Sequence, residues 1–143
     1  AIIGTDLPPI TTSRLYLKEI MQNFVTNAIK YTKSGGITVE VVRHNDQTLS
    51  ITVQDTGIGI SKSEISKVFQ KFWRSEDPYT RQTSGTGLGL YITSKLASRI
   101  GAEITLSSQI GKGTTFGILL PVLAVKTVDQ KKVADNQVAH IFE

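Results

Sequence analysis

Glu19, Asn23 and Asn27 stand four residues apart in the segment RLYLKEIMQNFVTNAIKYT, with Lys30 and Tyr31 just beyond. On a helix this spacing places the three side chains on one stripe about 12 Å long, and Lys30 and Tyr31 extend it. Amide oxygens on a rigid helix can complete the oxygen shell of Mg²⁺, which keeps waters and substrate phosphates as its other ligands. A lysine one turn further on can meet phosphate charge. A polar helix face is often merely solvated, but uncharged amides are a costly choice where only solubility is needed.

Of the twelve glycines, five occupy two short loops: Gly57 and Gly59 in DTGIGI, and Gly85, Gly87 and Gly89 in GTGLGL. The second loop opens a helical pattern, where glycine lets backbone amides approach an anion and the helix N-terminus adds partial positive charge. A polyphosphate fits such a loop; taken alone, the same glycines would make only tight turns. GTGLGL is not the dinucleotide fingerprint, because Leu90 takes the sixth place and the parallel crossover is missing. Nor is it a P-loop, since no Gly-Lys-Ser/Thr follows. Asp55, which begins the first loop, would by itself be an Asx-turn residue at a strand end.

The elements that must position these residues are legible in the periodicity. Apolar residues recur at three and four from Ser13 to about Thr32, which predicts an amphipathic helix with Thr12 or Ser13 as N-cap and Gly35-Gly36 as its stop. Ile37 to Arg43 and Leu49 to Val53 alternate as an antiparallel hairpin, and Ala1 to Thr5 reads as a short strand. Ser61 to Phe69 reads as a short helix with Ser61 and Glu64 as a capping box. A polar stretch from Arg74 to Ser84 follows, then a helix from Gly87 to about Ile100. A second hairpin joins Glu103 to Ser108 and Thr114 to Leu120 around Ile110-Gly111-Lys112-Gly113. Antiparallel pairs interleaved with helices predict an α+β fold, a two-layer sandwich with one layer of sheet and one of helices.

At 143 residues, 39% hydrophobic and 20% charged, the chain is long enough for one domain with a substantial core. The pattern stops at Pro121, leaving 122–143 as a tail without a period. The absence of cysteine excludes disulfide scaffolds, thiolate metal sites and cysteine nucleophiles. No apolar run approaches the ~18 to 20 residues of a membrane span. The opening AIIGTDLPP has no signal-peptide character and reads as the start of an excised segment. The net charge of +4 is equally compatible with a phosphate-bearing ligand or with solubility alone, and no basic run is longer than Lys131-Lys132, so nucleic acid is not expected as a partner.

Taken in order, the motifs resemble those of the catalytic and ATP-binding domain of sensor histidine kinases, members of the Bergerat-fold ATPases. Glu19-x-x-x-Asn23-x-x-x-Asn27-Ala28-x-Lys30-Tyr31-Thr32 matches the N box, and Asp55-x-Gly57-x-Gly59 the first glycine box. Phe69-x-x-Phe72 matches the F box, Gly85-x-Gly87-x-Gly89-Leu90 the second glycine box, and Gly111-x-Gly113-Thr114-x-Phe116 the closing motif. Each is weak alone, and five in order are specific. The resemblance spans roughly residues 1 to 121 and implies a mixed, mainly antiparallel sheet covered on one face by helices.

The resemblance also implies roles. Asp55 would accept a hydrogen bond from the adenine amino group, which selects against guanine. Asn23 would hold Mg²⁺, with Asn27 and Lys30 on the phosphate side and Tyr31 beside the nucleotide. Gly57, Gly59, Ile60, Thr86, Gly87, Leu88, Gly89 and Leu90 would line the nucleotide, and Thr114 would fix the adenine end. Phe69 and Phe72 would anchor a lid formed by Arg74 to Ser84, with Tyr79, Arg81 and Gln82 as contacts, although an aromatic pair at this spacing is also ordinary core. Glu19, Asn23 and Lys30 would be the catalytic set; Glu19 is the loosest of these, because related ATPases use a glutamate here to orient water.

By the same resemblance the reaction is transfer of the γ-phosphoryl group of ATP to a histidine on a separate dimerising helical domain, with a response regulator downstream. His44 and His140 lack the acceptor's surroundings, so the chain would be a monomeric donor half, cytoplasmic or the cytosolic part of a membrane-anchored receptor. Two alternatives stay open: a serine kinase that inhibits sigma factors, and a module that holds nucleotide without transferring phosphate.

Overall fold

Every fourth residue from Ile20 to Ala28 is buried, and this apolar stripe makes Arg14–Tyr31 the helix α1 that covers the sheet. The computed structural model describes residues 1–83 and 85–122, without the side chain of Tyr79. The expected tail, apart from Val122, therefore lies outside the described residues. Val122 itself continues the pairing, its amide donating to the Gln47 carbonyl at 2.7 Å. Of the two N-cap candidates Ser13 is the one used: its Oγ accepts from the Tyr16 amide at 3.3 Å.

Five strands form one sheet in the order β1-β2-β3-β5-β4. They are β1 (Ile2–Ile3), β2 (Ile37–Arg43), β3 (Thr48–Asp55), β4 (Glu103–Gln109) and β5 (Gly113–Pro121). All pairs are antiparallel except the short β1, which runs parallel to β2. The sheet is thus mixed and mainly antiparallel, as expected.

Register explains the core. Val39, Val53, Phe116 and Leu106 align across four strands, and Val41, Ile51, Ile118 and Ile104 form the next inward row. The side chains between them, among them Thr52, Gln54, Thr105 and Thr115, stand on the other face, so only one face carries the helices. Phe24 of α1 stacks on Phe116 at 5.2 Å between centroids, joining helix to sheet. Continuing the alternation of Leu49, Ile51 and Val53 by one step puts Asp55 on the inner face, at the rim of the apolar layer.

Two further helices flank the 74–83 segment. Helix α2 is only Lys62–Ile65, shorter than the expected Ser61 to Phe69, and the capping box is not formed. The Ser61 hydroxyl donates to the Glu64 carboxylate at 2.6 Å instead of receiving the Glu64 amide, which bonds the Ser61 carbonyl. The polar stretch expected to be loop contains the short helix α3 (Pro78–Gln82). Helix α4 (Gly89–Arg99) packs beside α1 and ends at Gly101.

Candidate functional site

Between α1, the loop after β3, the 73–75 segment, the 85–90 loop and the start of β5 lies a cavity of about 260 Å³. Asp55, Thr114 and Ile60 line it together with Asn23, Asn27, Lys30 and Tyr31 from α1, and with Thr86, Gly87, Gly89 and Leu90. The carboxylate that ends β3 and the amides of α1 therefore share one hollow.

The carboxylate is held from one side. Asp55 Oδ1 accepts the Gly57 amide at 2.8 Å and the Thr114 amide at 3.3 Å. Both bonds fall on the same oxygen, which leaves Oδ2 without a protein donor among the described residues. The Asx turn that the residue would form by itself is therefore present, and its second oxygen is available to a ligand. Asp55 as a residue is only 6% exposed, but Oδ2 is not among the fully buried oxygens that lack a partner, so it keeps access to the cavity that the residue lines. Ser108 braces this end. Its hydroxyl accepts the Ile60 amide at 2.8 Å and donates to the Gly113 carbonyl at 3.0 Å, so the 2.8 Å contact with Thr114 Oγ1 takes its proton from Thr114.

At the other end Asn23 Nδ2 donates to Thr93 Oγ1 on α4 at 2.6 Å. With its nitrogen committed, the amide has a carbonyl oxygen to offer. Gly89 lies against it: a Cβ at that position would stand 2.8 Å from Asn23 Oδ1. Lys30 Nζ lies 5.2 Å from the Tyr31 ring centroid, and a Cβ on Gly85 would come within 2.7 Å of it. A cation thus stands at the second glycine loop.

Outside the lid segment, five of the sequence-predicted residues do not line the cavity, each for a physical reason. Glu19 is exposed one helical turn before Asn23, about 6 Å further along α1. Gly57 serves the site through its amide, and a Cβ there would strike the Tyr31 carbonyl at 2.3 Å. Phe69 sits edge-on to Phe116 at 6.3 Å, within the core. Phe72 has φ 63 and is 65% exposed; its amide donates to the Gly87 carbonyl at 3.0 Å, so its backbone holds the loop while its ring does not. Leu88 precedes α4, its amide turned to Thr86 Oγ1 at 3.3 Å.

Other lining residues carry no motif. Val68, Trp73, Ser75 and Thr80 face the cavity, and so does Arg74, whose Nη2 donates to the carbonyls of Thr80 at 2.8 Å and Thr83 at 2.6 Å. Arg74 thus closes the end of α3. Among the lid candidates Arg81 and Gln82 do not line the cavity, and the Tyr79 side chain and Ser84 lie outside the described residues. Glu64 joins α2 to this segment by accepting the hydroxyls of Ser61 and Ser75, both at 2.6 Å. Those two hydroxyls, Ser61 first, hold its carboxyl below the ordinary glutamate range, partly offset by burial.

A five-stranded mixed sheet under helices, with a cavity closed by a carboxylate at one end and helix amides at the other, defines the class of protein: a ligand-binding α+β sandwich. The chain belongs to the histidine kinase-, DNA gyrase B-, and HSP90-like ATPase family, whose sequence profile matches residues 12–124. It is 42% identical over 125 residues to the sensor histidine kinase GacS of Pseudomonas protegens, covering 84% of this chain and 14% of that protein. Over 136 residues it is 35% identical to the autoinducer 2 sensor kinase/phosphatase LuxQ of Vibrio vulnificus, covering 92% of this chain and 16% of that one. The chain therefore spans about a sixth or less of these relatives' length. Full-length ShkA, solved in complex with AMPPNP, superposes with a TM-score of 0.73 at 28% identity over 86% of this chain and 25% of that one.

Proposed function

We propose that residues 1–121 are the ATP-binding catalytic domain of a sensor histidine kinase, donating the γ-phosphoryl group of ATP to a histidine on a separate dimerising helical domain. The observation that carries this reading is the shared cavity: the unengaged oxygen of Asp55 at one end, and Asn23 and Asn27 at the other. The relatives named above are sensor kinases, which weighs against the serine-kinase alternative.

The donor set fits Mg-ATP. The Asp55 carboxylate accepts the adenine amino group, where guanine would present a carbonyl. Thr114 and Ile60, braced by Ser108, hold the adenine end in place. Asn23 offers a hard amide oxygen, the ligand type Mg²⁺ takes beside waters and phosphates. Among the described residues no cluster of three His, Asp or Glu could hold a metal without such help. Lys30 and the loop from Gly85 to Gly89 meet the phosphates, and Asn27 and Tyr31 support that side. When bound, the metal nucleotide supplies a transferable phosphoryl group with its charge partly neutralised. The protein's own contribution is positioning and charge stabilisation. Glu19, outside the cavity, has no part in this assignment.

The acceptor helix and a downstream response regulator are the partners of this reading, nucleic acid is not one, and the chain alone is a monomer. On this reading the chain works in the cytoplasm, by itself or as the cytosolic part of a membrane-anchored receptor, where ATP is available. No helix among the described residues is long and apolar enough to cross a membrane. The test is calorimetric titration with ATP, with and without Mg²⁺, followed by radiolabelled transfer to a supplied helical acceptor domain. Saturable binding and label on the acceptor histidine are expected. No saturable binding up to millimolar ATP would overturn the assignment, and binding without transfer would make the chain a nucleotide-holding module.

A further inference from the structure

Thr93 lies outside every motif of the sequence, on the second turn of α4, and is only 1% exposed. Its Oγ1 accepts from Asn23 Nδ2 at 2.6 Å across a separation of 70 residues. One turn earlier on the same helix, Gly89 leaves open the space in which a Cβ would approach Asn23 Oδ1 to 2.8 Å and Nδ2 to 3.1 Å. The two residues act on the two ends of one amide: Thr93 takes the nitrogen, and the bare Cα of Gly89 admits the oxygen.

We propose that Thr93 is a positioning residue that fixes which way the Asn23 amide points, so that its oxygen and not its nitrogen is presented to a divalent cation in the cavity. This rests on the reading of Asn23 as the Mg²⁺ ligand. An amide free to rotate by half a turn would offer two N–H donors to the cation as readily as a carbonyl, and a donor group repels a metal. By accepting from Nδ2, Thr93 holds the first orientation before any ligand arrives; in the second, its hydroxyl would have to turn its own proton to Oδ1 to keep a bond. Partners that orient a metal ligand in this way typically change metal affinity by about 10- to 100-fold when removed.

Thr93→Val keeps the volume and removes the acceptor, while Thr93→Ser restores the hydroxyl. ATP is titrated calorimetrically into the chain and both variants, with and without Mg²⁺. The expected result is equal metal-free affinity in all three, a gain from Mg²⁺ about 10-fold smaller in the valine variant, and recovery in the serine variant. An unchanged Mg²⁺ gain in Thr93→Val overturns the proposal, as does an equal loss of metal-free affinity, which marks a purely structural role. A wild-type chain that binds ATP but gains nothing from Mg²⁺ overturns instead the reading of Asn23 as a ligand.

A second measurement does not depend on either variant folding. In the wild-type chain without nucleotide, nuclear magnetic resonance of the Asn23 side-chain amide is expected to show one proton shifted downfield and protected from solvent exchange. Amide protons that exchange like those of a solvated asparagine would mean that Thr93 does not accept from them, and the proposal would fail.

Discussion

Glu64 Oε1 accepts the Ser75 hydroxyl at 2.6 Å, linking the short α2 helix to the segment that leads over the cavity. The Glu76 amide approaches the same oxygen at 3.4 Å, and the Ser61 hydroxyl occupies the other. One carboxylate therefore ties down the near end of the 74–83 segment, while Arg74 closes its far end on the carbonyls of Thr80 and Thr83.

The sign of the resulting pH dependence follows. Hydroxyl and amide donors stabilise the charged form, so the folded-state carboxyl titrates below the unfolded one. Its contribution is complete above the unfolded value of about 4.3 and is lost as pH falls through the lower folded value. Thermal melts of wild type and Glu64→Gln between pH 6 and pH 3 should converge toward the acid end, with the wild type the more stable above it. Amide exchange at Ser75 and Glu76 should be faster in the variant at neutral pH. Parallel melting curves across that range would remove the carboxylate from this role.

Asp55→Asn should weaken ATP by roughly 1–3 kcal/mol, because an amide in place of Oδ2 can present a donor to the donor of adenine. The loss should fall on affinity more than on folding, since an amide oxygen can still accept from Gly57 and Thr114 through the Oδ1 position. Calorimetry with ATP and GTP, alongside a thermal melt, separates the two. An unaltered ATP affinity in the folded variant would contradict the adenine contact.

What could be read from the sequence was what repeats locally. The burial of Ile20, Phe24 and Ala28 follows from spacing on one helix, and the inward row of Leu49, Ile51 and Val53 follows from alternation on one strand. Asp55 was legible as the head of a glycine loop at a strand end, whereas its inward place on β3 was not, because the strand runs two residues past the expected Val53. The residues that brace the site were not legible. Thr93 meets Asn23 across 70 residues and Ser108 meets Ile60 across 48, and neither serine nor threonine in such places has a local signature. The Phe69 and Phe72 pair shows the converse: the resemblance implied one shared role, but α2 ends at Ile65 and Phe72 takes a positive φ, so one ring packs against the core and the other faces solvent.

Gly113 is a place where backbone meets backbone. A Cβ there would fall 1.9 Å from the Asp55 carbonyl, and φ is +113. Neither group is the end of a flexible side chain, so the strain can be relieved only by moving β5 away from the end of β3. Gly113→Ala should cost roughly 2 kcal/mol or more, seen as a lowered melting temperature by circular dichroism. It should weaken ATP as well, because the Thr114 amide that holds Asp55 would move with the strand. A variant as stable as wild type would show that this approach is looser than described.

Gly89→Ala should behave in the opposite way. The residue is the first of α4, its φ lies outside the left-handed region, and alanine is a better helix former by up to about 1 kcal/mol. The atoms that its Cβ would meet belong to the Asn23 amide, the movable end of a side chain, at 2.8 and 3.1 Å. The helix gain is offset by strain on the bond between that amide and Thr93, so the fold should stay within about 1–3 kcal/mol of wild type while the amide is pushed off its place. ATP affinity without Mg²⁺ should stay near wild type, and the gain on adding Mg²⁺ should fall by about tenfold. Calorimetry with and without the metal, on protein shown by melting to be folded, reads both effects. A variant that loses stability and keeps its Mg²⁺ gain would reverse the assignment, making Gly89 a packing residue and moving the metal ligand away from Asn23.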